Sequence, residues 1–283
     1  MTRLKGITGR SKSSKTIVMA SDIHDMSKLA VCSKEPYNSE LDQVCKLTGL
    51  QKGLNEAWET GAKEIADDHG KVDLVVYNGE PIDGANKKQL GNQSWTTNLE
   101  DGMLDFMKLD KSFKRKDCLF TRGSGYHTQV DGTNVEEILG NRMGALKYRA
   151  WGGEGYSDAF ANVSIYGKVF NFSHHIGYSK SMAYRSTALA REMANLHFED
   201  DKLGHIDVAV RSHVHYYWHN ESVNRHGIIT PAWKFPDYHL FRGGVAGTTP
   251  DIGFVTCTVE PNGELIFKKY IKQIKVKPKV LYV

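Results

Sequence analysis

Short apolar runs, separated by polar and glycine-containing segments, give this chain the pattern of an α/β protein. Residues 41–69 carry apolar side chains at three-, four- and seven-residue steps, which predicts a long helix. The runs with β-branched residues predict buried strands. The predicted strands are 16–20, 72–77, 118–121, 162–166, 168–172, 206–211, 226–230, 253–260 and 264–270, and the other predicted helices are 99–109, 134–148 and 181–198. Strands and helices alternate first and hairpins follow, which predicts a mixed sheet or two stacked sheets covered by helices.

The organisation of the chain is simple at the sequence level. The 283 residues are 40% hydrophobic and 25% charged, as in ordinary globular proteins. No internal repeat or linker divides them. We therefore predict a basic, polar tail over residues 1–15 and a single domain over residues 16–283.

Four segments, far apart in the sequence, place carboxylate or imidazole side chains where an apolar run ends. They are Ser21-Asp22-Ile23-His24, Gly79-Glu80-Pro81-Ile82-Asp83-Gly84, Ser173-His174-His175 and Ser212-His213-Val214-His215. In open α/β sheets, ligands gather beyond the carboxyl ends of the strands, so we expect these side chains to form one cluster. Mixed carboxylate and imidazole ligands suit a pair of divalent metal ions, and a two-metal site is suited to cleaving phosphate esters.

The order of these motifs over residues 16–215 resembles the calcineurin-like metallophosphoesterase superfamily. Thr230-Pro231-Ala232-Trp233 is similar to versions carried by bacteriophages and mobile elements. The resemblance implies a four-layer α/β/β/α sandwich of two mixed β-sheets flanked by helices, which holds two divalent ions. Manganese is the first expectation for these ions, with iron, zinc, nickel and magnesium as alternatives.

The resemblance also implies a set of ligands. By motif match, Asp22, His24 and His215 hold the first metal. His174 and His213 hold the second metal, and Glu80 bridges the pair. His175 is the alternative to His174, because the histidine doublet leaves the register open.

Two positions depart from the superfamily pattern. Glu80 stands where an aspartate is usual, and carries the same charge one methylene further out. In Arg122-Gly123-Ser124-Gly125-Tyr126-His127, Ser124 replaces an asparagine that donates its carbonyl oxygen to the second metal. His127 matches the histidine that protonates the leaving alkoxide. Arg122 is a candidate for bidentate phosphate binding, with a surface role as the alternative.

Two further aspartates lie inside the motifs. For Asp83 we expect local backbone hydrogen bonds that fix its turn, and the alternative is that it replaces Glu80 as the bridge. Asp25 either orients a metal ligand or caps a following helix. Neither residue is assigned to a metal.

The implied function is hydrolysis of a phosphodiester, with a nucleic acid or a nucleotide as the substrate. Two cations neutralise the phosphate oxygens and lower the pKa of a bridging water, which supplies hydroxide for in-line attack. The alternative is a binding or scaffold protein that keeps the fold with a weakened site, and Glu80 and Ser124 motivate it. Basic residues within 1–15, 108–116 and 268–279 favour DNA or RNA as a partner, and solvated surfaces are the other interpretation.

The remaining expectations concern location. No apolar run approaches the roughly 20 residues that cross a bilayer, and residues 1–15 lead into no long apolar stretch, so we expect neither a membrane span nor a secretory signal. The four cysteines show no CxxC spacing or dense disulfide pattern, which favours a reducing cytoplasm. For a phage-encoded protein this is the cytoplasm of the host.

Overall fold

The fold is described from a computed structural model, over residues 13–84, 91–130, 132–149, 153–179, 181–237 and 250–274. Most of the predicted basic tail and the end of the basic stretch at 268–279 lie outside these residues. The division of the chain into a tail and a single domain stays a prediction.

Two sheets and a small number of helices make up the described part of the chain. The strands of the first sheet are β1 (Lys15–Ala20), β4 (Val72–Asn78), β5 (Arg115–Thr121), β8 (Ser157–Asp158), β14 (Ile252–Val259) and β15 (Leu265–Lys272). Those of the second are β9 (Phe160–Ile165), β10 (Lys168–Ser173), β11 (Val208–Arg211), β12 (Trp218–Ser222) and β13 (Arg225–Ile229). Two small hairpins pair β2 (Tyr37–Asn38) with β3 (Gln43–Val44) and β6 (Gln129–Val130) with β7 (Thr133–Asn134). The helices are α1 (Gly49–His69), α2 (Leu99–Asp110), α3 (Val135–Arg142), α4 (Arg185–Phe198) and α5 (Asp200–Leu203), with a 3-10 turn at Met182–Tyr184.

Both sheets are mixed. The first has the order β15-β14-β1-β4-β5-β8, in which β1, β4, β5 and β8 run parallel, β14 runs antiparallel to β1, and β15 runs antiparallel to β14. The second has the order β12-β13-β11-β10-β9, with β10, β11 and β13 parallel. In each sheet the central strands therefore end at the same edge, where a ligand site is expected.

The alternation of side chains along β1 shows how the layers stack. Ile17 and Met19 pack in a cluster with Phe170 and Val210 of the second sheet, so this face is the interface between the sheets. Val18 points the other way, into a cluster that includes residues of α1, α2 and α3. On the outer face of the second sheet, Leu189 and Met193 of α4 pack with Ile229. The result is the predicted four-layer α/β/β/α sandwich.

The main difference from the sequence prediction is the start of the first helix. The periodicity predicted a helix from residue 41, but α1 begins at Gly49. Thr48 and Gln51 form a capping box, which sets the start of the helix at Gly49. Leu41 and Val44 lie in the β2–β3 hairpin and are 63% and 54% exposed. Their helical spacing therefore does not reflect packing in the core.

Two other helices are shorter than predicted. The helix expected over 134–148 ends at Arg142, and the one expected over 181–198 begins as a 3-10 turn before Arg185. The strand β12 has no predicted counterpart. Within the described ranges, no helix is both long and apolar enough to cross a membrane.

Candidate metal centre

The predicted ligands converge where the parallel strands of the two sheets end. Asp22 and His24 follow β1, and Glu80 follows β4 in the first sheet. His174 follows β10 directly, and His213 and His215 follow β11 in the second sheet. Three backbone hydrogen bonds fix the first two loops together, since the amides of Asp22, Ile23 and His24 donate to the carbonyls of Gly79 and Glu80.

Small buried polar side chains join the two sheets just behind these ligands. The Asn78 amide donates to the Ser173 carbonyl at 3.0 Å and to the Ser212 hydroxyl at 2.6 Å. Thr230 links Ser212, at 2.8 Å, to Ser21, at 2.7 Å. Because these groups satisfy one another in the interior, they hold the strand ends at a fixed separation.

The first group of candidate ligands contains Asp22, His24, Glu80 and His215. One ligand atom from each of the four lies within 4.8 Å of the others. His215 Nε2 is 3.3 Å from Asp22 Oδ1, and His24 Nε2 is 2.7 Å from Glu80 Oε2. These are the residues that the sequence assigned to the first metal, together with the predicted bridge.

The second group contains Asp22, Glu80, His174 and His213, with the same spacing. His174 Nε2 lies 3.3 Å from Glu80 Oε1 and 3.2 Å from His213 Nδ1. His174 is fully buried, and its Nδ1 lies 2.8 Å from the Asn78 carbonyl, which leaves Nε2 directed at the carboxylates. His175 joins a third group with His174 and His213 but no carboxylate. The geometry therefore favours His174 over His175.

Both groups share Asp22 and Glu80. The hydrogen bonding among the polar atoms of these groups is incomplete. Asp22 Oδ1 and His24 Nε2 are buried, and neither makes a hydrogen bond of regular geometry, although His24 Nε2 lies 2.7 Å from Glu80 Oε2. Asp22 Oδ1 nevertheless lies within 3.9 Å of Nε2 of His24, His174 and His215. A buried carboxylate oxygen faced by imidazole nitrogens is the donor set that divalent transition metals take, so the residues fit two ions with two shared carboxylates.

The charges of the site favour ionised carboxylates. Burial raises the pKa of Asp22, but His174 and His215 lower it more, and the net pKa is below the ordinary range. Burial also raises the pKa of Glu80, and the neighbouring histidines lower it more, so that the net pKa is well below normal. Burial lowers the pKa of His174, but Glu80 and Asp22 raise it to about 9. Burial lowers the pKa of His213 to about 4, so this ring is neutral and able to bind a metal.

The backbone of the ligands is unusual. Asp22, His24, Glu80, His213 and His215 all have positive φ, between 49° and 74°. They account for five of the eight non-glycine residues with positive φ in the described part of the chain. This left-handed region is unfavourable for residues with a Cβ, and its concentration at one site marks a functional constraint.

Glu80 fits its place because the loop after β5 has no side chain opposite it. A Cβ on Gly123 would lie 2.5 Å from Glu80 Cγ. The Ser124 hydroxyl donates to Glu80 Oε1, and the Ser124 amide donates to the same oxygen at 3.2 Å. Ser124, predicted as a replacement ligand, therefore holds the longer carboxylate in place.

Asp83 does not have the role predicted from the sequence. Instead of bonding the local backbone, its Oδ1 lies 2.7 Å from His127 Nδ1 and 3.0 Å from His24 Nδ1. The same oxygen accepts from Lys234 Nζ at 3.1 Å. Burial raises the pKa of Asp83, but Lys234, His127 and His24 bring it well below normal. No sequence motif pointed to Lys234, which lies in the segment after β13.

Arg122 and Asp25 lie outside the two ligand groups, and phosphate binding by Arg122 stays a prediction. The Arg122 amide donates to the Asp158 carbonyl, and Arg122 Nε donates to the Ser157 hydroxyl at 3.4 Å, so the structure does not bring this side chain into the ligand groups. Asp25 neither orients a ligand nor caps a helix. Its Oδ1 accepts from the Met26 amide and from the Trp95 indole.

Comparisons with known proteins concern the fold. A scan of known protein families finds no match to this chain, and no curated protein matches it. A structure described as an archaeal phosphodiesterase is similar at 15% identity, covering 90% of this chain and 99% of that chain, with a TM-score of 0.42. Vps29 of Entamoeba histolytica, solved with Zn²⁺, is 10% identical, covering 90% and 98%, with a TM-score of 0.38. The Plasmodium protein GAP50 is 13% identical, covering 95% and 90%, with a TM-score of 0.48.

The strand order and the position of the candidate ligands together describe the architecture of this chain. Two mixed sheets face each other, helices cover both outer faces, and the ligands follow the parallel strands in the predicted order. The bacteriophage type stays a prediction. This two-sheet architecture is the arrangement that the sequence resemblance to the calcineurin-like metallophosphoesterases implies.

Proposed function

We propose that this protein is a metal-dependent phosphodiesterase. The observation that carries the proposal is the pair of ligand groups that share Asp22 and Glu80. When bound, two divalent ions neutralise the phosphate charge and lower the pKa of water for attack on phosphorus. His24 and His215 complete one group, and His174 with His213 completes the other.

The chain itself supplies the means to hold these ligands rigidly. His24 is held at Nδ1 by Asp83, and His174 is held at Nδ1 by the Asn78 carbonyl. In both rings Nε2 is then the nitrogen left to bind a metal. Because the rings and the carboxylates are buried, water competes little for these positions.

His127 is the proposed acid for the leaving oxygen. Its Nδ1 faces Asp83, so Nε2 is the nitrogen available to a substrate. The ring packs edge-on against His24 with centroids 4.7 Å apart, which places the acid beside a metal ligand. Asp83 stabilises the protonated imidazole and fixes its orientation, as the carboxylate does in other acid–base pairs.

For the substrate we propose a nucleic acid or a nucleotide. Tyr178 and Tyr184 follow the His174-His175 doublet closely and are 45% and 65% exposed. Exposed aromatic rings that follow a candidate metal ligand in the sequence support stacking on bases. The aromatic residues Tyr216 and Trp233 near the last motif are buried instead and are unavailable for stacking.

Hydrolysis of bis(p-nitrophenyl) phosphate, with each of Mn²⁺, Ni²⁺, Zn²⁺ and Mg²⁺, tests the proposal. We expect turnover by the wild type and its loss in Asp22→Asn, which removes the shared carboxylate charge. His197→Ala is the control, since this exposed histidine forms an ion pair with Asp200 and belongs to neither ligand group. Absence of turnover with all four metals would count against the proposal. Comparing single- and double-stranded DNA with a cyclic nucleotide then sorts the substrates.

The second candidate is a scaffold with a weakened site. It is favoured by Ser124, whose hydroxyl is bonded to Glu80 and which offers no amide oxygen to a metal. Metal analysis of the purified protein separates the two functions. About two ions per chain supports the phosphodiesterase, whereas one or none, with no turnover, supports the scaffold.

A further inference from the structure

A buried lysine lies behind the proposed acid. Lys234 is 2% exposed, and its Nζ lies 3.1 Å from Asp83 Oδ1 and 3.4 Å from Asp237 Oδ2. A fully buried lysine is rare and needs a charged partner, because burial without one strongly disfavours the ammonium. This lysine belongs to neither ligand group.

The backbone around Lys234 is anchored independently of its side chain. The amide of Trp233 donates to the Asp22 carbonyl at 2.9 Å, and the amide of Phe235 donates to the Leu29 carbonyl at 2.9 Å. The Lys234 carbonyl itself lies 3.3 Å from His215 Nδ1. None of these backbone hydrogen bonds involves the ammonium, so the side chain can be tested separately.

One carboxylate oxygen serves three cationic or hydrogen-bonding groups. Asp83 Oδ1 meets His24 Nδ1, which belongs to a candidate metal ligand, and His127 Nδ1, which belongs to the proposed acid. Lys234 Nζ reaches the same oxygen. Asp83 Oδ1 can position both imidazole rings only if the Asp83 side chain is itself fixed. The Lys234 ammonium is a strong hydrogen-bond donor that can fix it.

We propose that Lys234 is a positioning residue that fixes Asp83 and thereby sets the orientation of both His24 and His127. This inference rests on the proposed function in so far as it concerns His127. Its consequence for His24 concerns metal binding alone. Loss of the ammonium is expected to loosen the metal ligand and the acid together.

Lys234→Met, which keeps an unbranched side chain one atom shorter and removes its charge, is the test. We expect Mn²⁺ affinity, measured by calorimetry, to fall about tenfold or more, as for other groups that orient metal ligands. We also expect the rate on a dinucleotide to fall about tenfold more than the rate on bis(p-nitrophenyl) phosphate. The leaving nucleoside alkoxide needs a proton, whereas p-nitrophenolate leaves without one. Lys168→Met is the control, since Lys168 pairs with Asp207 at 2.8 Å at the other end of β10.

The outcomes separate this inference from the proposed function. Unchanged Mn²⁺ affinity in Lys234→Met overturns it, whether or not the wild type hydrolyses phosphodiesters. With an active wild type, an equal fall on both substrates also overturns it, because a general loss of structure would act alike on both.

A second pair of variants covers the case in which Lys234→Met does not fold. Asp83→Asn removes the carboxylate charge, so adding Lys234→Met to it leaves no unpaired charge between these two residues. If Lys234 acts through Asp83, the double variant has the same Mn²⁺ affinity and the same substrate ratio as Asp83→Asn. A further tenfold fall would show a different route and overturn the proposal.

Discussion

Replacing Gly123 by alanine tests whether the loop after β5 has to approach the Glu80 carboxylate closely. A Cβ at this position would lie 2.5 Å from Glu80 Cγ and 2.7 Å from the Glu80 amide nitrogen. Carbon atoms in contact prefer about 3.5–4.0 Å, so the loop or the glutamate has to move by about 1 Å. Glu80 is not free to move, because its carbonyl accepts from the amides of Ile23 and His24.

The magnitude follows from that displacement. Overpacking of a rigid interior costs about 1–3 kcal/mol of unfolding free energy. For a chain of this size that lowers the melting temperature by roughly 2–10 °C. Metal–ligand distances tolerate only about 0.2 Å, so a displaced Glu80 is also expected to lower Mn²⁺ affinity about tenfold or more.

Calorimetry measures both effects, with a melting scan of the metal-free protein and a Mn²⁺ titration. Gly153→Ala is the matched control, because it is also a loop glycine and nothing lies within 4 Å of its added Cβ. We expect the control to match the wild type in both measurements. A Gly123→Ala protein with wild-type melting and wild-type affinity would refute the close approach.

Three other predictions concern the same site and its neighbourhood. Mn²⁺ at a hundred times its dissociation constant is expected to stabilise the protein by about 2.7 kcal/mol, and a melting temperature that does not rise with Mn²⁺ would contradict a metal centre. His174→Ala is expected to lower the metal count and His175→Ala to leave it unchanged, because only His174 shares a group with Asp22 and Glu80; equal losses would reverse that choice. Burial raises the pKa of Asp25 well above normal, so folding takes up a proton above the unfolded pKa and stability falls as pH rises towards the folded value. Asp25→Asn is expected to remove a slope of up to about 1.4 kcal/mol per pH unit, measured by urea unfolding across that range, and an unchanged slope would refute it.

The strands could be predicted from the sequence because burial on both sides gives a continuous apolar run. The apolar run at 74–77 is the clearest case, and it lies within β4. The start of α1 was predicted wrongly for the opposite reason. Leu41 and Val44 match a helical period by their spacing but lie exposed, and only the cap formed by Thr48 decides where the helix begins.

The site shows the same division between local and distant information. The convergence of the candidate ligands could be predicted, because each follows the end of a strand and each motif has a fixed spacing. The choice between His174 and His175 could not, since it depends on Gly79, where a Cβ would lie 2.3 Å from His174 Nδ1. Nor could the meeting of Asp83, His127 and Lys234, which come together only when three distant loops fold against each other.

The left-handed backbone of the ligands gives relatives of this chain a mutational signature. Asp22, His24, Glu80, His213 and His215 each hold a conformation that costs about 1–3 kcal/mol in a residue with a Cβ, and glycine would relieve it. A lineage that uses only the outer surface of the fold has no reason to keep this burden, and drift would fix glycine or asparagine at these positions. We therefore expect chains that keep all five side chains to bind metal, and chains with glycines there to have become scaffolds.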